Sequence, residues 1–228
     1  MNKSSSPTSF QNSQSFTPIL VKDWGTGGLS ASKIPTVLRY NASDHIHGML
    51  GLKWGNQVKS HERRQEWFKL QLDPMAYISD NTVDFSARYP SLLAAPPEYN
   101  RTAVKLCTDF LKELRKQAWK CLEQRMTSAG LGTYQAEWVI TVPAIWSDKA
   151  RSDTLECATN AGIGGNRLTI ISEPEAAAAY AFQNIRPLGI NVGDNIIICD
   201  VCWIQGRLQT VKGLCANYLR RLVAELLT

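Results

Sequence analysis

Cys199 and Cys202 form a CxxC, the spacing at which two thiolates can share a zinc ion or close into a disulfide. Zinc needs two further ligands at suitable spacing. The three histidines, His45, His47 and His61, lie far away in sequence, so the pair alone builds no metal site. The other four cysteines are Cys107, Cys121, Cys157 and Cys215. With no secretory leader, all six read as reduced thiols of a cytoplasmic protein, and the sequons at Asn41 and Asn100 as chance matches. Carboxylates stand at two element boundaries. Glu173 and Glu175 open the run EPEAAAAYAF, where acidic groups complement a helix dipole. Asp200 closes the run NIIICD, as a strand-end turn residue often does. Lys69, Pro143 and Arg151 have equally plain readings: solvated charges and a strand terminator.

These residues need elements to position them. In 228 residues, 44% are hydrophobic, enough to bury a core. The formal net charge is +5, with the basic residues scattered and no basic block interleaved with aromatics, which argues against nucleic-acid binding. No run of eighteen apolar residues is present, so no membrane span is expected. The polar leader before Phe16 reads as disordered. Ile34–Tyr40 (IPTVLRY) reads as a strand, 48–55 as a hairpin, and 61–74 as a helix stopped by Pro74. Residues 75–97 read as a loop. A helix is expected over 98–126, with Val104, Cys107, Leu111, Leu114, Ala118, Cys121 and Leu122 on one face and Gly130 and Gly132 beyond its end. Strands follow at 138–142, 167–172 and 195–200. Helices are expected from Ser147, an N-cap, to Gly162 and over 173–182. Strand–helix alternation of this kind predicts an α/β fold.

VITVPAIWSDKAR, then AGI, then LTIISEPEAAAAYAF, then IIICD, resembles the ATPase domain of seventy-kilodalton heat-shock chaperones. Order, spacing and residue type agree over about sixty residues, far more than a lone short motif supplies. Upstream, KIPTVLRY and EWFKLQLDP are similar to a divergent heat-shock-70-like group of filamentous fungi, which extends the resemblance to roughly 18–200. The resemblance implies an actin-like (ribonuclease-H-like) ATPase fold with ATP and magnesium in a cleft between two lobes, and client or cochaperone proteins as partners. It assigns Glu173 to the glutamate of EPxAAA and Asp200 to the aspartate heading the second phosphate loop, the expected magnesium site. It assigns Lys69 to the lysine that reaches the phosphates. Pro143 and Arg151 match positions implicated in communication between lobes and with the linker. Phosphoryl transfer requires positioning and charge neutralisation, for which carboxylates at strand ends and helix starts are suited.

The chain departs from that pattern at both phosphate loops, whose glycine-rich backbones would cradle phosphate. The nearest first-loop candidate, VKDWGTGGLS with Asp23 to Gly28, stands too close to KIPTVLRY and reads as a turn. After Asp200 the chain continues VCWIQGRLQT with no glycine cluster. Val201-Cys202 can be encoded GTA TGT, which resembles an intron donor. The codons of Arg221 to Thr228, read in another frame, can yield AGGGTVDL, the missing loop. The expectation is therefore an incomplete fold without hydrolysis. Residues 1–16 are leader, 17–135 part of lobe I, 136–200 the end of lobe I and start of lobe II, and 201–228 an aberrant tail able to form an amphipathic helix. Two alternatives stand beside it: a non-catalytic binding module with an exposed sheet edge, and a mis-spliced product without function.

Overall fold

β-Branched runs alternating with capped helices produce a mixed helix–strand architecture. The computed structural model describes residues 20–24, 33–41, 51–76, 101–126, 135–164, 167–184, 195–197 and 213–215. The leader, the loop beyond Ala76, Gly130, Gly132, the glycine turn at 25–28, Cys199, Asp200 and Cys202 lie outside the described residues.

Strand β1 (Leu38–Asn41) pairs antiparallel with β2 (Gly51–Trp54), Leu38 opposite Trp54 and Asn41 opposite Gly51. The strand expected from Ile34 begins only at Leu38. Pro35 has no N–H to donate to a ladder, and the Val37 carbonyl turns to accept from the Gly55 N–H at 3.0 Å.

The helix expected over 61–74 does not form. Leu38 and Gln65 exchange backbone hydrogen bonds at 3.0 and 2.7 Å, adding one bridge to the edge of β1. Trp67 then takes a left-handed φ of 63°, a conformation that costs a non-glycine residue energy and that no α-helix contains. Two short 3-10 turns follow at Leu70–Leu72 and Pro74–Ala76. Favourable helix propensity in HERRQE is overridden because extending β1 and burying Phe68 require an irregular path.

Helix α1 (Ala103–Arg125) starts later than expected, where the Thr102 side chain accepts from the Lys105 N–H at 3.2 Å. Its Cys107 and Cys121 are buried as the stripe predicts, but Leu122 is 40% exposed, and Leu106 and Phe110 are buried instead. The N-terminal half of α1 is covered on two sides. Leu106, Cys107 and Phe110 share one core with Leu38, Tyr40, Trp54, Phe68 and Cys157. Phe110 meets Trp54 edge-on at 5.7 Å and Phe68 at 5.9 Å between centroids, geometries favoured by aromatic quadrupoles.

Strand β3 (Trp138–Val142) pairs parallel with β4 (Leu168–Ser172), and α2 (Asp148–Asn160) connects them in a βαβ unit. The ends of α2 are written in its sequence. Ser147 Oγ accepts from the Ala150 N–H at 3.3 Å. At the other end Ile163 N–H reaches Ala158 O and Gly162 N–H reaches Thr159 O, both at 2.9 Å. This is a Schellman closure in which Gly162 supplies the required φ of 78°. Ala158, Ala161 and Ile163 bury the apolar contact that accompanies it.

Helix α3 (Glu173–Asn184) leaves β4 directly. Strand β5 (Asn195–Ile197) pairs antiparallel with β6 (Gly213–Cys215). Residues 213–215 thus lie in a strand where the amphipathic pattern of the tail offered a helix.

Candidate functional site

The site is built where the end of β3, the start of α3 and the 68–72 turn converge. Phe68 is 1% exposed and anchors the turn in the core. The next residue, Lys69, has helical φ and ψ of −58° and −45° and N-caps the Leu70–Leu72 turn. Its backbone is fixed, so its side chain extends across to α3. Lys69 Nζ donates to Glu173 Oε1 at 2.6 Å, joining residues 104 positions apart. The ammonium also stands 5.8 Å from the Trp146 ring centroid, within cation–π range. Trp146 is held by a tight turn, its N–H donating to Pro143 O at 3.2 Å. Asp73, four residues after Lys69, accepts from the Ser147 N–H at 2.7 Å and fastens the same turn to the start of α2.

The two glutamates at the head of α3 divide their tasks. Glu175 Oε2 accepts from the Ser172 N–H at 2.7 Å, and Ser172 Oγ accepts from the Glu175 N–H at 3.3 Å. That reciprocal pair is a capping box. With Glu175 closing the helix end, Glu173 is the carboxylate that faces Lys69. The Lys69 and Glu173 side chains are 43% and 34% exposed, so the pair is reachable from solvent and contributes little to stability, on the order of 0.2–1 kcal/mol.

A cavity of about 230 Å³ adjoins the pair, lined by Lys69 with Phe68, Phe110, Ile140, Val142, Trp146, Cys107 and Cys157 among others. Pro143 is buried and Arg151 half-buried on α2. Among the described residues no group of three His, Cys, Asp or Glu could hold a metal ion, and no helix is long and apolar enough to cross a membrane. Lys69 and Glu173, named separately on sequence grounds, are thus in direct contact, while Asp200 falls outside the described residues. Trp146 and the cavity-lining cysteines were missed. Nothing in their local sequence marks them, since each acts through partners distant in the chain.

Residues 94–202 match the family model described as Hsp70 protein. That stretch is similar to Hsp70-family sequence. Glu173 and Asp200 lie inside the Hsp70 stretch, and Lys69, which precedes it, is tied to it by the ion pair. The chain is 28% identical over 166 residues to Heat shock 70 kDa protein 12A of Mus musculus, and equally to that of Homo sapiens, covering 68% of this chain and 23% of each relative. It is 30% identical over 145 residues to Heat shock protein 70 homolog of Acanthamoeba polyphaga mimivirus, covering 64% of this chain and 12% of that protein. The chain therefore spans between about an eighth and a quarter of the length of these relatives.

Proposed function

We propose that the chain is part of a heat-shock-70-like ATPase domain of actin-like (ribonuclease-H-like) fold. Lobe I would lie within 17–135, and its end and the start of lobe II within 136–200. Lys69 and Glu173 would face the phosphates of ATP, and Asp200 the magnesium ion. The carrying observation is the 2.6 Å contact between Lys69 and Glu173, at the head of a helix within the Hsp70 stretch. A cation for phosphate and a carboxylate able to orient water are the two charges that phosphoryl transfer needs side by side.

The residues present fit magnesium–ATP only in part. The cavity beside the pair, about 230 Å³, is smaller than the ~300–1,000 Å³ of ordinary ligand pockets, and apolar side chains dominate its lining. The sequence after Asp200 has no glycine cluster to present backbone N–H groups to phosphate. Without that preorganised cradle, transition-state stabilisation is lost, so the chain inherits the pattern of an ATPase without turning over. Its partners in this reading are client or cochaperone proteins of the cytoplasm.

The test is phosphate release and calorimetric ATP binding with magnesium, for the full chain and Glu173→Gln. No turnover above buffer is expected from either. Steady-state hydrolysis that Glu173→Gln abolishes would sink the inactive reading. A second reading, a non-catalytic binding module, is favoured by one feature. Strand β3 pairs only with β4 among the described residues, and its Val139 is 47% exposed, as a strand-accepting edge would be. A cooperative thermal transition with no ATP binding would favour that reading.

A further inference from the structure

Basic residues that look scattered in the sequence are gathered by the fold. Arg101, Lys105, Lys112 and Lys116 line one cavity of about 480 Å³, to which β1 and β2 contribute Tyr40 and Leu52, opposite each other in the hairpin register. The three lysines fall on one face of α1. Two carboxylates, Asp109 and Glu113, share the lining, and both are engaged. Asp109 Oδ1 accepts from Lys105 Nζ and its Oδ2 from the Tyr40 hydroxyl, each at 2.7 Å. Glu113 Oε1 accepts from Lys116 Nζ at 2.5 Å. Tyr40 is buried; that burial, then the bond to Asp109, holds its phenol well above the usual range, so it stays a neutral donor and adds no negative charge. Four cations against two carboxylates leave the lining at +2. Among the described residues neither Arg101 nor Lys112 has a carboxylate partner. The Arg101 guanidinium lies over the Tyr40 ring, its Cζ 4.3 Å from the centroid, and its Nε–H is buried with no acceptor. A guanidinium donor withdrawn from water and left unbonded is unfavourable.

We propose that this cavity binds a small phosphate monoester, with Arg101 and Lys112 holding its dianionic phosphate group. The charge decides the class of ligand. A phosphate dianion neutralises the +2 of the lining, whereas a lone carboxylate leaves one cation uncompensated. The two open cations supply complementary contacts: the guanidinium offers a planar fork that matches phosphate oxygens, and the ammonium a point charge. Stacking on Tyr40 fixes the guanidinium plane in advance, which lowers the ordering cost of binding. Arg101 as a whole is half-buried and Lys112 exposed, so an anion reaches both from the cavity. A shift of the guanidinium towards that anion brings the unbonded Nε–H within reach of an oxygen. Lys105 and Lys116 stay on their carboxylates. The volume lies within the ~300–1,000 Å³ of ordinary ligand pockets and far exceeds a phosphate group, leaving room beside Leu52 for the organic part of the ester. None of these residues lines the cavity beside Lys69, so the proposal does not depend on the ATPase reading.

The experiment titrates the full chain with phenyl phosphate, followed by phosphorus NMR at about pH 8, above the second phosphate pKa of about 6. Saturable binding to the wild type is expected. Arg101→Gln should weaken it about tenfold, the loss of one charge-assisted contact, and Lys112→Gln should weaken it by a smaller factor. Lys69→Met should bind as the wild type does. Benzenesulfonate, the same ring with a single negative charge, should bind several-fold more weakly than phenyl phosphate. Circular dichroism checks that each variant is folded, and if Arg101→Gln is not, the exposed Lys112→Gln decides the matter. Absence of saturable binding to the wild type would overturn the proposal, as would wild-type affinity in Lys112→Gln. Equal affinity for benzenesulfonate would remove the dianion from it. Binding lost in Lys69→Met and kept in Arg101→Gln would place the phosphate at the ion pair and defeat the proposal.

Discussion

Breaking the Lys69–Glu173 pair should change function-related geometry while barely touching stability. The perturbation is a double-mutant cycle of Lys69→Met, Glu173→Gln and the double variant, each isosteric enough to keep the stems packed. The 2.6 Å contact is short, but the two side chains are 43% and 34% exposed, so water screens them and their mutual attraction is that of a surface pair. We expect each single variant to lose less than about 1 kcal/mol and the coupling to be about 0.2–1 kcal/mol. In 1 M salt, where the Debye length is about 3 Å, the coupling should fall further. The assay is urea unfolding followed by circular dichroism at low and high salt. A coupling above about 2 kcal/mol that survives high salt would show a dry, structural ion pair and would refute the assignment of Lys69 to a solvent-facing cleft.

Three further outcomes are expected. Phe68→Ala should cost about 3–5 kcal/mol, because Phe68 is 1% exposed and packs against Phe110; a thermal midpoint unchanged from wild type would contradict that packing. The Glu62 carboxyl is held below the usual range, first by the Lys59 N–H at 2.8 Å and then by Lys53 and Arg39. Its stabilising contribution is therefore present above the ordinary carboxylate pKa and lost as pH falls through the lowered folded-state value; melts of wild type and Glu62→Gln should differ near neutrality and converge in acid. For the tail, genomic DNA should read GTATGT directly after the Asp200 codon, with AG immediately before GCNGGNGGN downstream; a CGN codon for Arg221 removes the acceptor and defeats the reconstruction.

The elements legible in the sequence were those whose ends are chemically marked nearby. Ser147 and Gly162 bracket α2, and the acidic start of α3 sits one residue after the end of β4, so local rules sufficed. The 61–74 stretch misled because its helix propensity is real but weaker than two non-local demands, the Leu38–Gln65 bridge and the burial of Phe68. The site was legible only as separate residues. Lys69 and Glu173 came into view through a family resemblance. Their contact across 104 positions depends on how the 68–72 turn meets the head of α3, which no local pattern encodes. The fall of Leu122 outside the core has the same origin, since a stripe at helical spacing does not say where the covering partner stops.

The 68–72 turn also carries a consequence for how the chain assembles. Phe68 belongs to the core under α1, Leu70 to the cluster of Val142, Trp146 and Ala150, and Leu72 packs against both. This turn therefore ties together two clusters that also meet where α2 sets Cys157 into the core under α1. Near neighbours close small loops and condense early, whereas closing the long loop between residue 69 and residue 173 carries a larger entropic cost and comes late. The exposed Lys69–Glu173 contact is thus set late during folding and parts early when the native state opens locally. Amide protons at Leu70 and Leu72 would then exchange ahead of those in the middle of α1 and α2. Opening by that route would part the ion pair and release the 68–72 turn from the head of α3 in one event.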